Sequence, residues 1–258
     1  GVFEPFEARF PRQFLNVGVA EQNMTGLATG MALEGHKVFT YSIGNFPTLR
    51  CLEQLRNDTC YHHANVNIVA SGGGFSYGAL GMSHHATEDL SIMRALPGVV
   101  VTAPGTAWEA GQATLALPHH PGVGYLRLDK SAATENEPPD ARTFILGKAR
   151  RLREGSDATL ICCGGILEEA LSAASDLALY GIECRVVSMH TIKPLDKAEV
   201  ESATLDTGGI ITIEENNILG GMGGAASEFC LENGLSPGFF HRIGLNDTFP
   251  DRTGSQQY

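Results

Sequence analysis

The stretch Val17-Gly18-Val19-Ala20-Glu21-Gln22-Asn23-Met24 marks the change of pattern that decides how this chain folds. The apolar run at residues 14–17 ahead of it predicts a strand. After it, small and apolar residues recur with helical spacing at Met24, Leu27, Ala28, Met31, Ala32 and Leu33. Glu21 therefore stands at a strand-to-helix junction with few other charges nearby. A lone acid there either starts the helix, favoured by the helix dipole, or is a buried functional acid. The residues alone favour the first role.

The rest of the first half alternates between short apolar runs and helical patterns, which is typical of a mostly parallel α/β sheet covered on both faces. Strands are predicted at residues 36–41, 66–71, 99–103 and 124–128. Helices are predicted at residues 21–33, 49–60, 87–95 and 106–116. Each strand ends close to Gly, Ser or Pro, as short strand-to-helix turns require.

The alternation stops at residues 129–145, which are polar, contain prolines and lack periodicity, so a linker is predicted there. It resumes with strands at 158–163, 183–188 and 209–214 and helices at 168–180, 197–204 and 223–231. We therefore expect two α/β domains, at residues 1–128 and 146–258. The first opens in mid-unit, so one strand and one helix are expected to be missing ahead of residue 1.

Composition excludes several classes of function. The formal net charge of −11 argues against a general nucleic-acid or anionic-membrane binder. The six cysteines include no C-x-x-C pair and have apolar neighbours, so free thiols and a cytoplasmic location are expected. No apolar run approaches the roughly 20 residues of a membrane span.

The pattern G-V-A-E-Q-N-M-x-G-x-A-x-G around Glu21 resembles a segment of transketolases, deoxyxylulose-phosphate synthases and the β subunits of 2-oxo acid dehydrogenases. These enzymes all use thiamine diphosphate. The resemblance implies that the Glu21 carboxyl group hydrogen-bonds the aminopyrimidine ring of that cofactor and activates it. Burial is then expected to raise the pKa of Glu21 and keep a proton available.

Tyr41-Ser42-Ile43-Gly44-Asn45-Phe46-Pro47-Thr48-Leu49-Arg50 follows a predicted strand. Without the resemblance, Phe46 is simply a core residue in a loop. The resemblance implies that Phe46 stacks on the aminopyrimidine ring, a contact worth about 1 kcal/mol beyond burial. Arg50 is then expected at the edge of the cofactor, in a structural or binding role rather than a catalytic one.

A glycine-rich segment, Ser71-Gly72-Gly73-Gly74-Phe75, precedes Gly81-Met82-Ser83-His84-His85. Its spacing does not fit the G-x-G-x-x-G dinucleotide motif. It resembles the G-P-T-H-Q loop of transketolases, which implies that His84, with His85 beside it, contacts substrate and reaction intermediates. Two polar positions of that loop fall on Gly72 and Leu80 here, which leaves recognition of the sugar hydroxyls open.

Arg127 closes the predicted strand Tyr125-Leu126-Arg127-Leu128. It is either an interdomain arginine in an ion pair or, as the resemblance implies, a bidentate ligand for a substrate phosphate. In the second domain, Glu214-Glu215-Asn216 and the glycines that follow resemble the E-E-H-x-x-x-G-G-x-G signature of the last transketolase domain, with Asn216 in place of His. Lys193-Pro194-Leu195-Asp196 resembles its K-P-L/F-D turn.

Three His-His pairs occur, but adjacent histidines point apart, so no metal site of the chain's own is expected. The G-D-G…N motif that holds Mg²⁺ and the cofactor diphosphate is absent from the sequence. The chain therefore resembles the C-terminal subunit of a split transketolase. That resemblance implies a partner chain that carries the diphosphate motif and binds most of the Mg²⁺, a heterotetramer, and no activity for this chain alone.

The resulting hypothesis is a subunit of an enzyme that transfers a two-carbon ketol unit from a ketose to an aldose. Three alternatives stay open. A 2-oxo acid dehydrogenase β subunit suits the Glu21 segment equally well. A non-catalytic, transketolase-like scaffold is motivated by Gly72 and Leu80. A nicotinamide-dependent dehydrogenase is the least favoured of the three.

Overall fold

A computed structural model of the protein describes residues 2–130 and 143–256; most of the predicted linker lies outside this range. The strands are β1 (Val38–Ile43), β2 (Val66–Ser71), β3 (Val99–Thr102), β4 (Val123–Leu128), β5 (Arg150–Arg153), β6 (Ala158–Cys162), β7 (Cys184–Ser188), β8 (Thr191–Lys193), β9 (Ile210–Asn217) and β10 (Phe240–Leu245). The α-helices are α1 (Glu4–Arg9), α2 (Glu21–Leu33), α3 (Leu52–Gln54), α4 (Asp89–Ala95), α5 (Ala107–Ala116), α6 (Leu167–Ala178), α7 (Lys197–Asp206) and α8 (Met222–Glu232). The predicted mixed α/β class is confirmed.

The first sheet has the strand order β1-β2-β4-β3-β8. Strands β1 to β4 run parallel, so their carboxyl ends share one edge. The unpredicted strand β8 comes from far along the chain and pairs antiparallel with β3, with Val101 opposite Lys193. A strand that lies in sequence within the second predicted domain therefore completes the sheet of the first.

The second sheet has the order β10-β9-β6-β7-β5. It is parallel except for β5, which runs antiparallel to β7. The sequence does not predict the edge strands β5 and β10, because their alternating, partly exposed residues lack a continuous apolar run. Buried residues of both sheets, among them Val101 and Val187, belong to one continuous hydrophobic cluster.

Two local predictions were wrong. Residues 14–19 form no strand; Leu15 and Val19 are exposed, and this apolar segment pairs with no strand of the described chain. The predicted helix at 49–60 is irregular, with a 3-10 turn at Leu49–Cys51, a short α-helical turn at Leu52–Gln54 and a π-helix at Leu55–Cys60. The 3-10 turn carries Arg50. Over the described residues, no helix is long and apolar enough to cross a membrane.

Candidate active site

The carboxyl edge of the first sheet gathers most of the predicted site residues. The loop after β1 carries Phe46, the loop after β2 carries His84, and Arg127 lies near the end of β4. Because β1, β2 and β4 are adjacent and parallel, these loops emerge side by side. Such an edge is where open α/β sheets bind ligands.

Glu21 is the first residue of α2 and reaches the end of β1. Its side chain is buried, with the residue 7% exposed. Ser42 Oγ donates a hydrogen bond to one carboxylate oxygen at 3.0 Å, and Arg50 Nη1 donates to the other at 2.8 Å. Glu21 thus starts the helix and is also buried, and its functional role stays a prediction. Sequence reasoning missed Ser42; its place one residue before the end of β1 was the available signal.

The ionisation of Glu21 differs from the prediction. Burial raises the pKa of Glu21, but the hydrogen bonds from Arg50 and Ser42 and the charge of Arg50 outweigh it and leave the pKa below its ordinary value. The expected raised pKa is therefore wrong for this state of the chain. The reason is Arg50, whose guanidinium favours the carboxylate form.

Replacing Arg50 with glutamine is expected to raise the pKa of Glu21, because burial then acts with less opposition. In the wild type the ionised carboxylate stabilises the fold above its unfolded pKa, and this contribution is lost as the pH falls through the lowered folded pKa. In the variant this contribution should be smaller, because the folded pKa of Glu21 is no longer held as far below the unfolded one. A carbon NMR titration of the Glu21 carboxyl measures the shift directly; the same pKa in both proteins would contradict the assignment.

Arg50, Phe46 and His84 form a row beside the carboxylate. The Arg50 guanidinium lies 4.1 Å from the centroid of the Phe46 ring. The ring of His84 meets Phe46 edge-to-face, with centroids 5.3 Å apart. His84 is partly exposed, and its Nδ1 is hydrogen-bonded to Ser83 Oγ at 3.0 Å. Acid, aromatic ring and histidine are therefore contiguous, although they lie far apart in sequence.

His85 faces the opposite way from its neighbour. It is 4% exposed, its Nε2 is hydrogen-bonded to the Gly78 carbonyl at 3.1 Å, and its ring meets that of Phe75 edge-to-face. Asn45 Nδ2 donates to its backbone carbonyl at 2.5 Å and so ties the Phe46 loop to the histidine loop. We infer a structural role for His85 in place of the predicted substrate contact.

Arg127 is 2% exposed and pairs with two buried carboxylates. Its Nε donates to Asp129 at 3.0 Å, its Nη1 to Asp89 at 3.4 Å, and its Nη2 to the Glu215 carbonyl of the second sheet at 2.9 Å. Its ion pairs therefore lie within the first half of the chain and its hydrogen bond to Glu215 reaches the second, which favours the interdomain arginine over the phosphate contact. Sequence reasoning missed both acids around Arg127. The i, i+2 spacing of Asp129 was an available signal, whereas Asp89 lies far away in the sequence.

Both halves of the chain match domains of one known family. Residues 2–135 match the family "Transketolase, pyrimidine binding domain", and residues 147–257 match "Transketolase, C-terminal domain". The chain belongs to the transketolase family. It is 40% identical to a putative transketolase C-terminal section of Methanocaldococcus jannaschii, over 95% of this chain and 76% of that protein. It is 36% identical to one of the subunits of apulose-4-phosphate transketolase from Phocaeicola vulgatus, over 88% of this chain and 73% of that protein.

A solved structure described as a split gene transketolase, inactive beta4 tetramer, has the same fold. Its TM-score is 0.85 at 35% sequence identity, and the match covers 97% of this chain and 81% of that one. The first resemblance drawn from the Glu21 segment is therefore confirmed at the level of the family, for both halves of the chain.

The residues of this transketolase-family chain fit the aminopyrimidine half of thiamine diphosphate. A buried carboxylate, a serine hydroxyl and an aromatic ring lie together at the sheet edge, as a ring with nitrogen donors and acceptors requires. Within residues 2–130 and 143–256, no group of three or more His, Cys, Asp or Glu side chains is placed to hold a metal ion.

In the segment that resembles the transketolase C-terminal signature, Glu214 caps the start of α8. The Glu214 carboxylate accepts hydrogen bonds from the backbone amides of Met222 and Gly223 at 2.8 Å each, at the start of α8. A Cβ on Gly221 would lie 2.3 Å from a Glu214 carboxylate oxygen, so any other residue there would displace this carboxylate. Asn216, the departure from the family pattern, is buried and donates to Ser91 Oγ at 2.9 Å.

Gly72 and Leu80 replace two polar residues of the transketolase loop, and the structure explains only Gly72. Gly72 has a φ of +90°, and a Cβ there would overlap the Tyr77 ring, so backbone geometry and packing explain this glycine. Leu80 is 57% exposed. The effect of either residue on sugar recognition stays a prediction.

Proposed function

We propose that this chain is the C-terminal subunit of a split, thiamine-diphosphate-dependent transketolase that moves a two-carbon ketol unit from a ketose to an aldose. The observation that carries the proposal is that Glu21 and the row of Arg50, Phe46 and His84 lie together at the carboxyl edge of the first sheet. Thiamine diphosphate, when bound, supplies the carbon nucleophile and the electron sink for this transfer.

The proposed roles of these residues are as follows. Glu21 holds a proton against the aminopyrimidine ring, Phe46 stacks on that ring, and His84 binds hydroxyl groups or moves protons of the sugar. Arg50 contacts the edge of the cofactor. Because Arg50 holds the pKa of Glu21 below its ordinary value, the Glu21 proton requires that this ion pair loosen in the assembled enzyme.

A partner chain is proposed to supply the G-D-G…N diphosphate motif and most of the Mg²⁺ ligands. The support is that two relatives of this chain are named as a section and a subunit of transketolases. A second support is exposed apolar surface near the site, where α1, the segment after it and the outer face of α2 present Phe6, Leu15, Val19 and Leu27. Exposed apolar surface of this kind marks contacts between chains. A heterotetramer and a cytoplasmic location, in keeping with six buried free thiols, complete the proposal.

The substrates are proposed to be a ketose donor and an aldose acceptor. One relative is named for apulose 4-phosphate, which supports sugar phosphates as the class. Since Arg127 is buried in ion pairs, the anionic end of such a substrate is proposed to meet Arg50, the partly exposed cation of the row, rather than Arg127.

The test compares this chain alone with this chain purified together with a protein that carries the diphosphate motif. We expect Mg²⁺-dependent binding of thiamine diphosphate by calorimetry, and ketol transfer, only in the complex. Cofactor binding without any ketol transfer would contradict the transketolase assignment, and coupled oxidation of pyruvate would favour a 2-oxo acid dehydrogenase. Absence of cofactor binding in the complex would favour the scaffold.

A further inference from the structure

The loop that carries His84 rests on the second sheet as well as on its own. At its start, the amide of Phe75 donates to Glu215 Oε2 at 3.5 Å. At its end, the carbonyl of Thr87 accepts a hydrogen bond from the Asn217 amide at 2.7 Å. Glu215 and Asn217 both belong to the carboxyl end of β9. One strand end of the C-terminal domain therefore holds the loop on both sides of His84.

Glycines in the loop allow this close approach. A Cβ on Gly74 would lie 2.3 Å from Glu215 Oε2, and one on Gly78 would lie 2.6 Å from the carbonyl oxygen of Gly254. Both positions would overlap the C-terminal domain, because real Cβ contacts are longer than this. The spacing of these glycines, which does not fit a dinucleotide motif, therefore follows the surface on which the loop lies.

Residues 253–256 form the other part of the support. Gln256 Nε2 donates a hydrogen bond to Glu215 Oε2 at 2.7 Å. The same carboxylate oxygen therefore accepts from both Gln256 and the Phe75 amide. The backbone carbonyl of Glu215 accepts a hydrogen bond from the buried Arg127 of the first sheet. Glu215 is thus fixed from both sheets, as a group that positions a loop has to be.

We propose that Glu215, held by Gln256, is a positioning residue that sets the His84 loop for substrate, and that the C-terminal domain thereby takes part in substrate binding. The proposal rests on the proposed function in one respect, namely that the His84 loop meets the substrate. The proposed effect is on binding of the sugar and not of the cofactor. Glu215 contacts the start of the loop, and it contacts neither Glu21 nor Phe46.

The first measurement is hydrogen exchange of the loop amides, in the assembled protein, for Glu215→Ala, Glu215→Gln and Gln256→Ala. We expect exchange in peptides that cover residues 74–86 to be about tenfold faster in Glu215→Ala, since a hydrogen bond to a charged acceptor is lost. Glu215→Gln keeps an acceptor oxygen and should restore most of the protection. Glu228→Ala is the matched control, because that carboxylate lies in the same domain, is 55% exposed and pairs with Arg94 of α4 rather than with a residue of the loop.

The second measurement is kinetic. In Glu215→Ala we expect the KM of the ketose donor to rise about tenfold with the dissociation constant of thiamine diphosphate unchanged, and we expect Gln256→Ala to change both measurements in the same direction by less. Unchanged loop exchange in Glu215→Ala and Gln256→Ala would overturn the positioning role. Faster exchange with an unchanged KM would overturn the link to substrate. If the wild-type complex has no ketol transfer, the proposed function fails, while the exchange measurement still decides whether Glu215 positions the loop.

Discussion

Replacement of Glu21 by glutamine is expected to lower ketol transfer by the assembled enzyme at least about a hundredfold, the lower end of what a positioned proton-transfer group contributes. Glutamine keeps the size of the side chain, and its amide oxygen can still accept from Ser42 or Arg50, which both donate to the carboxylate. It cannot hold and release a proton against the aminopyrimidine ring. The loss is therefore expected in kcat, with the fold intact.

The measurements are steady-state ketol transfer and thermal unfolding of the same preparations. Stability should stay within about 1 kcal/mol of the wild type, because the Arg50 side chain in the lost ion pair is 42% exposed. Glu53→Gln is the matched control. Glu53 is an exposed carboxylate in α3, the short helix that follows the 3-10 turn of Arg50. Full activity of Glu21→Gln would remove the central residue of the proposed mechanism.

Replacement of Arg127 by methionine is expected to lower the free energy of unfolding by about 3–5 kcal/mol, the usual effect of removing one partner from a buried ion pair. Asp89 and Asp129, whose side chains are 0% and 2% exposed, would lose the guanidinium that pairs with both of them. The loss should also loosen the contact between the sheets, because Arg127 binds the Glu215 carbonyl. Urea unfolding followed by circular dichroism measures the change.

The pH dependence of this variant has a defined sign. Burial raises the pKa of Asp89, and the charge of Arg127 and the hydrogen bond from Tyr125 oppose that rise. Without Arg127 the folded pKa is higher still, so stability falls as the pH rises above the unfolded pKa of an aspartate. The variant should therefore be more stable in mild acid than at neutral pH.

Arg153→Met is the control, because it removes a more exposed ion pair with Glu183. It should lower the free energy of unfolding by less than about 1 kcal/mol. A stable Arg127→Met enzyme with a raised KM would instead support the phosphate contact.

Much of the candidate site can be predicted from the sequence. Glu21, Phe46 and Arg50 are expected at the cofactor and His84 at the substrate, and the structure brings these four together. The resemblance around Glu21 locates the acid, and the strands before Phe46 and His84 locate the loops. The sequence does not show that the side chains of His85 and Arg127 are buried, because only packing decides which side chains of a loop or strand end are covered.

The sequence by itself determined the α/β class, the order of most helices and strands and the membership of the transketolase family, because hydrophobic periodicity and the Glu21 segment are local in the chain. Only the tertiary structure decided that β8 joins the first sheet, that Arg50 holds Glu21 in its charged form, and that Glu215 supports the loop of His84. In the first and third of these contacts the partners lie in distant parts of the chain, and Arg50 meets Glu21 across a strand and two loops. Contacts of this kind follow from how the elements pack, which no local pattern specifies.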